Sequence, residues 1–227
     1  MVQLLQLDAS PRRSRSHTRT LVREFAERWS EGGPGNTVIR RDLGHEPPPH
    51  LTEDWIAAAF TTPGERTTQM REALAYSDQL VDELFASDVL VLGVPMYNFG
   101  VPAMLKAYID QIVRVGRTFS FDPEAAAPYT PLVSGKRAFV IVGTGDAGYE
   151  MGGPLASANH VEPYLRTALG FIGIDEVEFV YTGNDEFGGE RLQRSLAFAR
   201  NRVAELTSVG AVSHRHPVAE HAAPQRD

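Results

Sequence analysis

The chain has 227 residues, a formal net charge of −7 and no cysteine. That length suits one domain that buries a core without covalent staples, and the missing cysteine excludes disulfides, thiolate catalysis and cysteine-based zinc or iron–sulfur sites. The acidic balance argues against nucleic acid or an anionic membrane as a partner, no segment approaches the ~20 apolar residues of a membrane span, and no signal-like leader is read at the start, so the cytoplasm is the expected location.

Apolar runs alternate with helix-period segments, the pattern of a parallel α/β protein. The first strand is expected over residues 2–8. A helix follows from about Thr18, with Leu21, Val22, Phe25 and Trp29 on one face, and Gly32-Gly33-Pro34-Gly35 stops it. A second strand runs over residues 37–42. Residues 44–68 read as an irregular excursion in which Pro47-Pro48-Pro49 cannot be helical and a short helix starts at Thr52. A long helix over residues 69–86 buries Met70, Leu74, Val81, Leu84 and Phe85. There follow a third strand (88–94), a helix (103–113), a small extended piece (118–121) and a fourth strand (137–142). A helix over 161–169 takes Pro163 in its first turn, and a fifth strand covers 175–181. The last helix, 190–206, sets Leu192, Leu196, Ala199, Val203 and Leu206 in register. Residues 1–207 are thus expected to form the domain and 208–227, which include His214, His216 and His221, a flexible tail.

The strands themselves indicate their order. Residues 89–92 and 139–142 are continuously apolar, as when helices cover both faces, whereas residues 38–41 turn polar and 176–179 alternate, as at edges. The fold class is therefore α/β, a flavodoxin-like, doubly wound, parallel five-stranded sheet of order 2-1-3-4-5. In that order the chain reverses between strands one and three, and ligands bind there, outside the carboxyl ends of the strands.

Two loops leave that point. The first, Ser10-Pro11-Arg12-Arg13-Ser14-Arg15-Ser16-His17-Thr18, precedes a helix N-terminus, where free N–H groups and hydroxyl donors suit a phosphate monoester. It lacks both the P-loop and the Gly-x-Gly-x-x-Gly pattern, and helix capping by Ser16 explains it equally well. The second, Pro95-Met96-Tyr97-Asn98-Phe99-Gly100-Val101-Pro102, presents apolar and aromatic walls with Asn98 as a polar edge, as a flat aromatic ligand requires.

With Leu169-Gly170-Phe171-Ile172-Gly173-Ile174 added, these loops resemble the FMN-dependent NADH-azoreductase (quinone reductase) family. The resemblance implies that Ser10, Ser16 and Thr18, with His17 between the last two, hold the FMN phosphate. It implies that Pro95, Met96, Tyr97, Asn98 and Phe99 line the isoalloxazine. It places the third loop, residues 143–149, at the flavin edge through Thr144, Gly145 and Gly148, although Asp146 departs from the family's run. Phe171 matches a position on the substrate side; Phe121 and Phe60 stand where relatives carry Tyr and Arg. His160 is expected to start a helix. No metal site and no protein acid or base is expected.

The chemistry the family implies is ping-pong hydride transfer from NADH or NADPH to FMN and on to a quinone or azo acceptor. In relatives a partner subunit supplies a second wall, so a homodimer with the active site near the interface is expected, and residues 44–68, with Trp55, Ile56 and Phe60, are a candidate contact. The alternatives are a flavin reductase supplying reduced FMN to a monooxygenase, an electron carrier without NADH turnover, and a non-enzymatic module that has lost its flavin.

Overall fold

A computed structural model describes residues 2–208. In chain order the elements are β1 (Gln3–Asp8), α1 (His17–Glu31), β2 (Thr37–Arg41), α2 (Glu53–Phe60), α3 (Thr68–Ala86), β3 (Val89–Pro95), α4 (Ala103–Ile112), β4 (Phe119–Phe121), β5 (Tyr129–Pro131), β6 (Arg137–Gly143), α5 (Glu162–Ile172), β7 (Glu176–Thr182) and α6 (Gly189–Leu206). The expected tail lies outside the described residues, apart from Ser208. Among the described residues no helix is long and apolar enough to cross a membrane.

Five parallel strands form one sheet in the order β2-β1-β3-β6-β7, which is the expected 2-1-3-4-5 once the five long strands are counted alone. The two strands with polar positions, β2 and β7, are the edges. Two apolar layers sandwich the sheet. One packs Leu5, Leu90, Leu92 and Val140 against Leu80, Leu84, Leu105, Ile109 and Leu165 of α3, α4 and α5. The other packs Leu4, Val91, Phe139 and Ile141 against Leu21, Phe25, Leu196 and Val203 of α1 and α6. Alternate residues of each central strand thus face opposite helices, which is why these strands read as unbroken apolar runs.

The register aligns the strand ends that matter. Asp8 pairs with Gly93, Pro95 with Gly143, and Gly143 with Thr182, so the carboxyl ends of β1, β3, β6 and β7 form one rank. The loops after them meet over that rank.

Three details differ from the sequence reading. The extended piece near 118–121 is β4, but it pairs with a second short strand, β5, as an antiparallel hairpin apart from the main sheet. The sequence Tyr129-Thr130-Pro131 has too few residues to show a period. Helix α5 continues through Gly170 to Ile172 and stops at Gly173, whose left-handed φ of 105° and close approach to the Val133 carbonyl admit no side chain. Phe85 is 40% exposed rather than buried; it falls in the last turn of α3, beyond the layer that Leu80 and Leu84 make with the sheet.

Candidate functional site

A cavity opens at the carboxyl rank. The first loop contributes Ser10, Ser16, His17 and Thr18; the second Pro95, Met96 and Tyr97; the third Thr144 and Gly145. Three loops distant in sequence are therefore brought together as expected.

At one end the chemistry is that of hydrogen-bond donors. Ser16 caps α1, its Oγ accepting from the Arg19 N–H at 3.3 Å and lying 3.2 Å from Thr18 Oγ1. The first-turn N–H groups of α1 have no intrahelical carbonyl to reach, and the dipole of this 15-residue helix makes its start electropositive. Ser10 Oγ and Thr182 Oγ1 are buried and have no partner among the described residues, an expensive arrangement unless a ligand supplies one. A Cβ on Gly143 would stand 2.8 Å from Thr18 Cγ2, so only glycine lets the strand end approach the helix start this closely. Four hydroxyls and a helix N-terminus fit a phosphate monoester.

Elsewhere the lining is apolar: Pro95, Met96 and Tyr97, and, from the α1–α6 side of the sheet, Leu192 of α6. Asn98 and Phe99 do not line the cavity; they form the tight turn that carries Tyr97. Both have positive φ (48° and 68°), and the turn is closed by mutual backbone hydrogen bonds between Tyr97 and Gly100, each 3.1 Å. Left-handed backbone is unfavourable for Phe, so surrounding contacts must hold it. One is the His160 N–H, which donates to the Phe99 carbonyl at 2.9 Å; the His160 side chain is exposed. Asn159 anchors the same segment, donating to the Tyr149 carbonyl and to Tyr181 Oη and accepting the N–H groups of Val161 and Glu162.

The first loop is braced from behind. Arg19 Nε and Nη2 donate to the Ser10 carbonyl at 2.9 and 2.5 Å, and the guanidinium grips Asp42 through both carboxylate oxygens. His45 joins Asp42 at 2.8 Å. Partial burial pushes the Asp42 carboxyl up, but the hydrogen bonds from Arg19 and His45 outweigh it and hold it at about 2. Asp8, at the end of β1, is raised by burial despite a hydrogen bond from Gln6.

Sequence reading did not assign Arg12, Gly143, Thr182, Asp185, Glu186 or Leu192, all of which line the cavity. Asp185 accepts from Arg12 at 2.6 Å and lies 3.1 Å from His17 Nε2, so it ties the first loop to the one after β7. Thr182 and Asp185 lie at the end of an edge strand, and position at a strand end was the signal available.

Gly148 and the three expected substrate-side rings fall outside the cavity. Gly148 packs behind it, against Pro154. Phe60 projects from the end of α2, 71% exposed. Phe121 and Phe171 belong to an aromatic cluster with Phe119 and Tyr129, ring centroids 4.8–6.2 Å apart. That cluster lies at the wrong end of the sheet to serve the same chain's cavity. The Val133 N–H donates to the Ile172 carbonyl just before β6 and β7 begin, whereas the cavity lies where they finish. Each strand has seven residues, which at ~3.3 Å per residue puts roughly 20 Å between the two ends. Trp55 is also corrected: it is buried in its own chain, with Nε1 donating to Gln111 Oε1 at 2.9 Å.

A sequence profile described as flavodoxin-like fold matches residues 2–206. FMN-dependent NADH:quinone oxidoreductase 2 of Trichormus variabilis is 45% identical over 208 residues, covering 92% of this chain and 99% of that protein. FMN-dependent NAD(P)H:quinone oxidoreductase 1 of Pseudomonas aeruginosa is 47% identical, covering 91% and 98%. The crystal structure of azoreductase from Bacillus anthracis superposes with a TM-score of 0.80 at 25% identity, over 91% of this chain and 99% of that one.

Proposed function

Since the chain belongs to the flavodoxin-like family of FMN-dependent NADH:quinone oxidoreductases, we propose that it is an FMN-dependent NAD(P)H oxidoreductase acting on quinones or azo compounds. The observation that carries this reading is the pair of buried, unpartnered hydroxyls, Ser10 Oγ and Thr182 Oγ1, beside the N-terminus of α1 and next to an apolar wall. An amphipathic ligand with a phosphate at one end and a flat ring at the other satisfies both ends at once.

Ser10, Ser16, Thr18 and the first-turn N–H of His17 bind the phosphate. Pro95, Met96 and Tyr97 flank the ring, and Asn98 and Phe99 set the direction in which Tyr97 faces. Thr144 spends its N–H on the Thr182 carbonyl and its hydroxyl on the Asp146 carbonyl, so the N–H groups of Gly145 and Asp146 are the donors for the polar edge, where they stabilise developing negative charge. When bound, FMN supplies hydride acceptance from the nicotinamide and donation to the acceptor. No side chain needs to act as acid or base.

The protein acts as a homodimer in this reading. Phe121, Tyr129 and Phe171 form an exposed aromatic surface at the far end of the sheet, and Ile56 and Phe60 expose an apolar pair on α2. Exposed apolar clusters of this kind mark contact surfaces. Across a two-fold axis the far-end rings of one protomer reach the cavity of its partner and complete the substrate side, the role expected of Phe121 and Phe171.

The test is to incubate the purified protein with FMN, remove unbound flavin by gel filtration and record its visible absorbance, then follow NADH oxidation with and without a quinone. Retained flavin bands and quinone-dependent oxidation are expected. A colourless protein without turnover would sink the proposal.

A further inference from the structure

One short segment just ahead of α5, Asn159 and His160, fastens two loops of the cavity at once. The Asn159 side chain is buried and uses both its donors and its acceptor. Nδ2 donates to the Tyr149 carbonyl of the third loop at 2.9 Å and to Tyr181 Oη of β7 at 2.7 Å. Oδ1 accepts the Val161 and Glu162 N–H groups at 2.9 and 3.2 Å. The next N–H, that of His160, goes to the Phe99 carbonyl, in the turn that carries Tyr97. The rings of Phe99 and Tyr149 also meet, centroids 6.5 Å apart. The second and third loops are therefore pinned to one point.

Neighbours on β7 and α5 dictate which way the amide faces. Glu162 is buried and salt-bridged through Oε1 to Arg166, so it only accepts. Tyr181 must therefore donate to Glu162 Oε2, at 2.7 Å, which leaves its own oxygen to accept from Asn159. Burial and the bond to Glu162 push the Tyr181 hydroxyl above its ordinary range, so it stays a donor. With Nδ2 turned to Tyr181, its second proton meets the Tyr149 carbonyl.

Resting on the functional reading above, we propose that Asn159 is a positioning residue for the flavin ring: by pinning the third loop beside the turn of the second, it aims the Gly145 and Asp146 N–H groups at the ring that Tyr97 walls. Neither N–H has a protein partner among the described residues. Such donors favour reduced flavin, which carries more negative charge at the polar edge, over oxidised flavin. Asn159 thus acts on the balance between the two oxidation states as well as on affinity. The phosphate end meets the same phosphate in both states and favours neither.

Midpoint potentials of the FMN-loaded full chain, measured beside FMN titrations, test this. Asn159→Asp keeps an oxygen for the Val161 and Glu162 N–H groups, and with it the start of α5, but gives up both donations of Nδ2. It should lose reduced FMN about tenfold more than oxidised FMN, a fall of about 30 mV in the two-electron potential. Tyr181→Phe frees the amide to turn and should move the potential the same way by less. It decides the matter alone if flavin-free melting curves show that Asn159→Asp does not fold. Ser16→Ala, at the phosphate end, should weaken both oxidation states alike and keep the parent potential. Parent potentials in every folded variant of Asn159 and Tyr181, or an equal fall in Ser16→Ala, would overturn the role of Asn159 and leave the flavin site standing. A parent that binds no FMN would overturn the functional reading and this one together.

Discussion

Ser16 has two tasks, and they can be separated by measurement. Its oxygen accepts the Arg19 N–H, and it meets the Thr18 hydroxyl at 3.2 Å, a pair in which one proton remains for a phosphate whichever donates. Ser16→Ala should cost about 1 kcal/mol of stability as a lost cap and weaken FMN by a further ~1–3 kcal/mol as a lost charge-assisted bond; Ser16→Thr should keep much of both. Thermal melts without flavin read the first effect and FMN titration the second. Asp42 makes a different prediction. Its carboxyl is held at about 2, below its ordinary value of 3.8. A depressed carboxylate adds stability that is complete above pH 4 and lost as pH falls toward 2. Asp42→Asn should remove that part of the acid transition, with a small amplitude because the group is 37% exposed. Urea melts between pH 2 and 5 would check it. Ser16 was legible because serine before a helix has only a few uses. The Arg19–Asp42 brace was not: its residues are 23 apart, and no local pattern relates a helix arginine to the end of the neighbouring strand.

Among the elements, the turn at residues 97–100 shows most directly how local conformation serves the site. Phe99 sits at φ 68° with half its surface exposed, so it is strained without the compensation of deep burial. Relief of left-handed strain is worth about 1–2 kcal/mol, and the greater freedom of unfolded glycine takes back about 0.5–1 kcal/mol. Phe99→Gly should therefore leave the melting temperature unchanged or slightly raised while weakening flavin binding, a split that an ordinary packing residue would not give. Melting curves and FMN titration on the same preparation decide it. The apolar strands and amphipathic helices were readable because periodicity reports which faces are covered. The β4–β5 hairpin was half readable. Its own rings pair across it, but Phe171 of α5 also packs on Phe119 and Tyr129, and a stretch of sequence does not show what packs on it from some fifty residues away.

For the whole molecule, the parallel sheet separates two jobs by its length. Binding loops lie at the carboxyl ends, and the aromatic cluster of Phe119, Phe121, Tyr129 and Phe171 lies at the other. Phe121 and Phe171, expected on the substrate side, therefore lie far from the cavity of their own chain; a motif comparison carries residue identity but not which subunit a residue serves. If a second copy covers the cluster, Tyr129→Asp should shift the protein from a dimer toward its 25.0 kDa chain mass, read by light scattering after size exclusion. It should also lower turnover more than it lowers FMN affinity. An unchanged mass would show that the cluster is not the contact. The spacing between the two ends has a genetic counterpart. In the proposed dimer, a chain disabled in its first loop and a chain disabled in its hairpin would each be inactive alone. Paired in one such dimer they would regain a working centre, the sound loop of one meeting the sound hairpin of the other. Two faulty alleles would rescue each other.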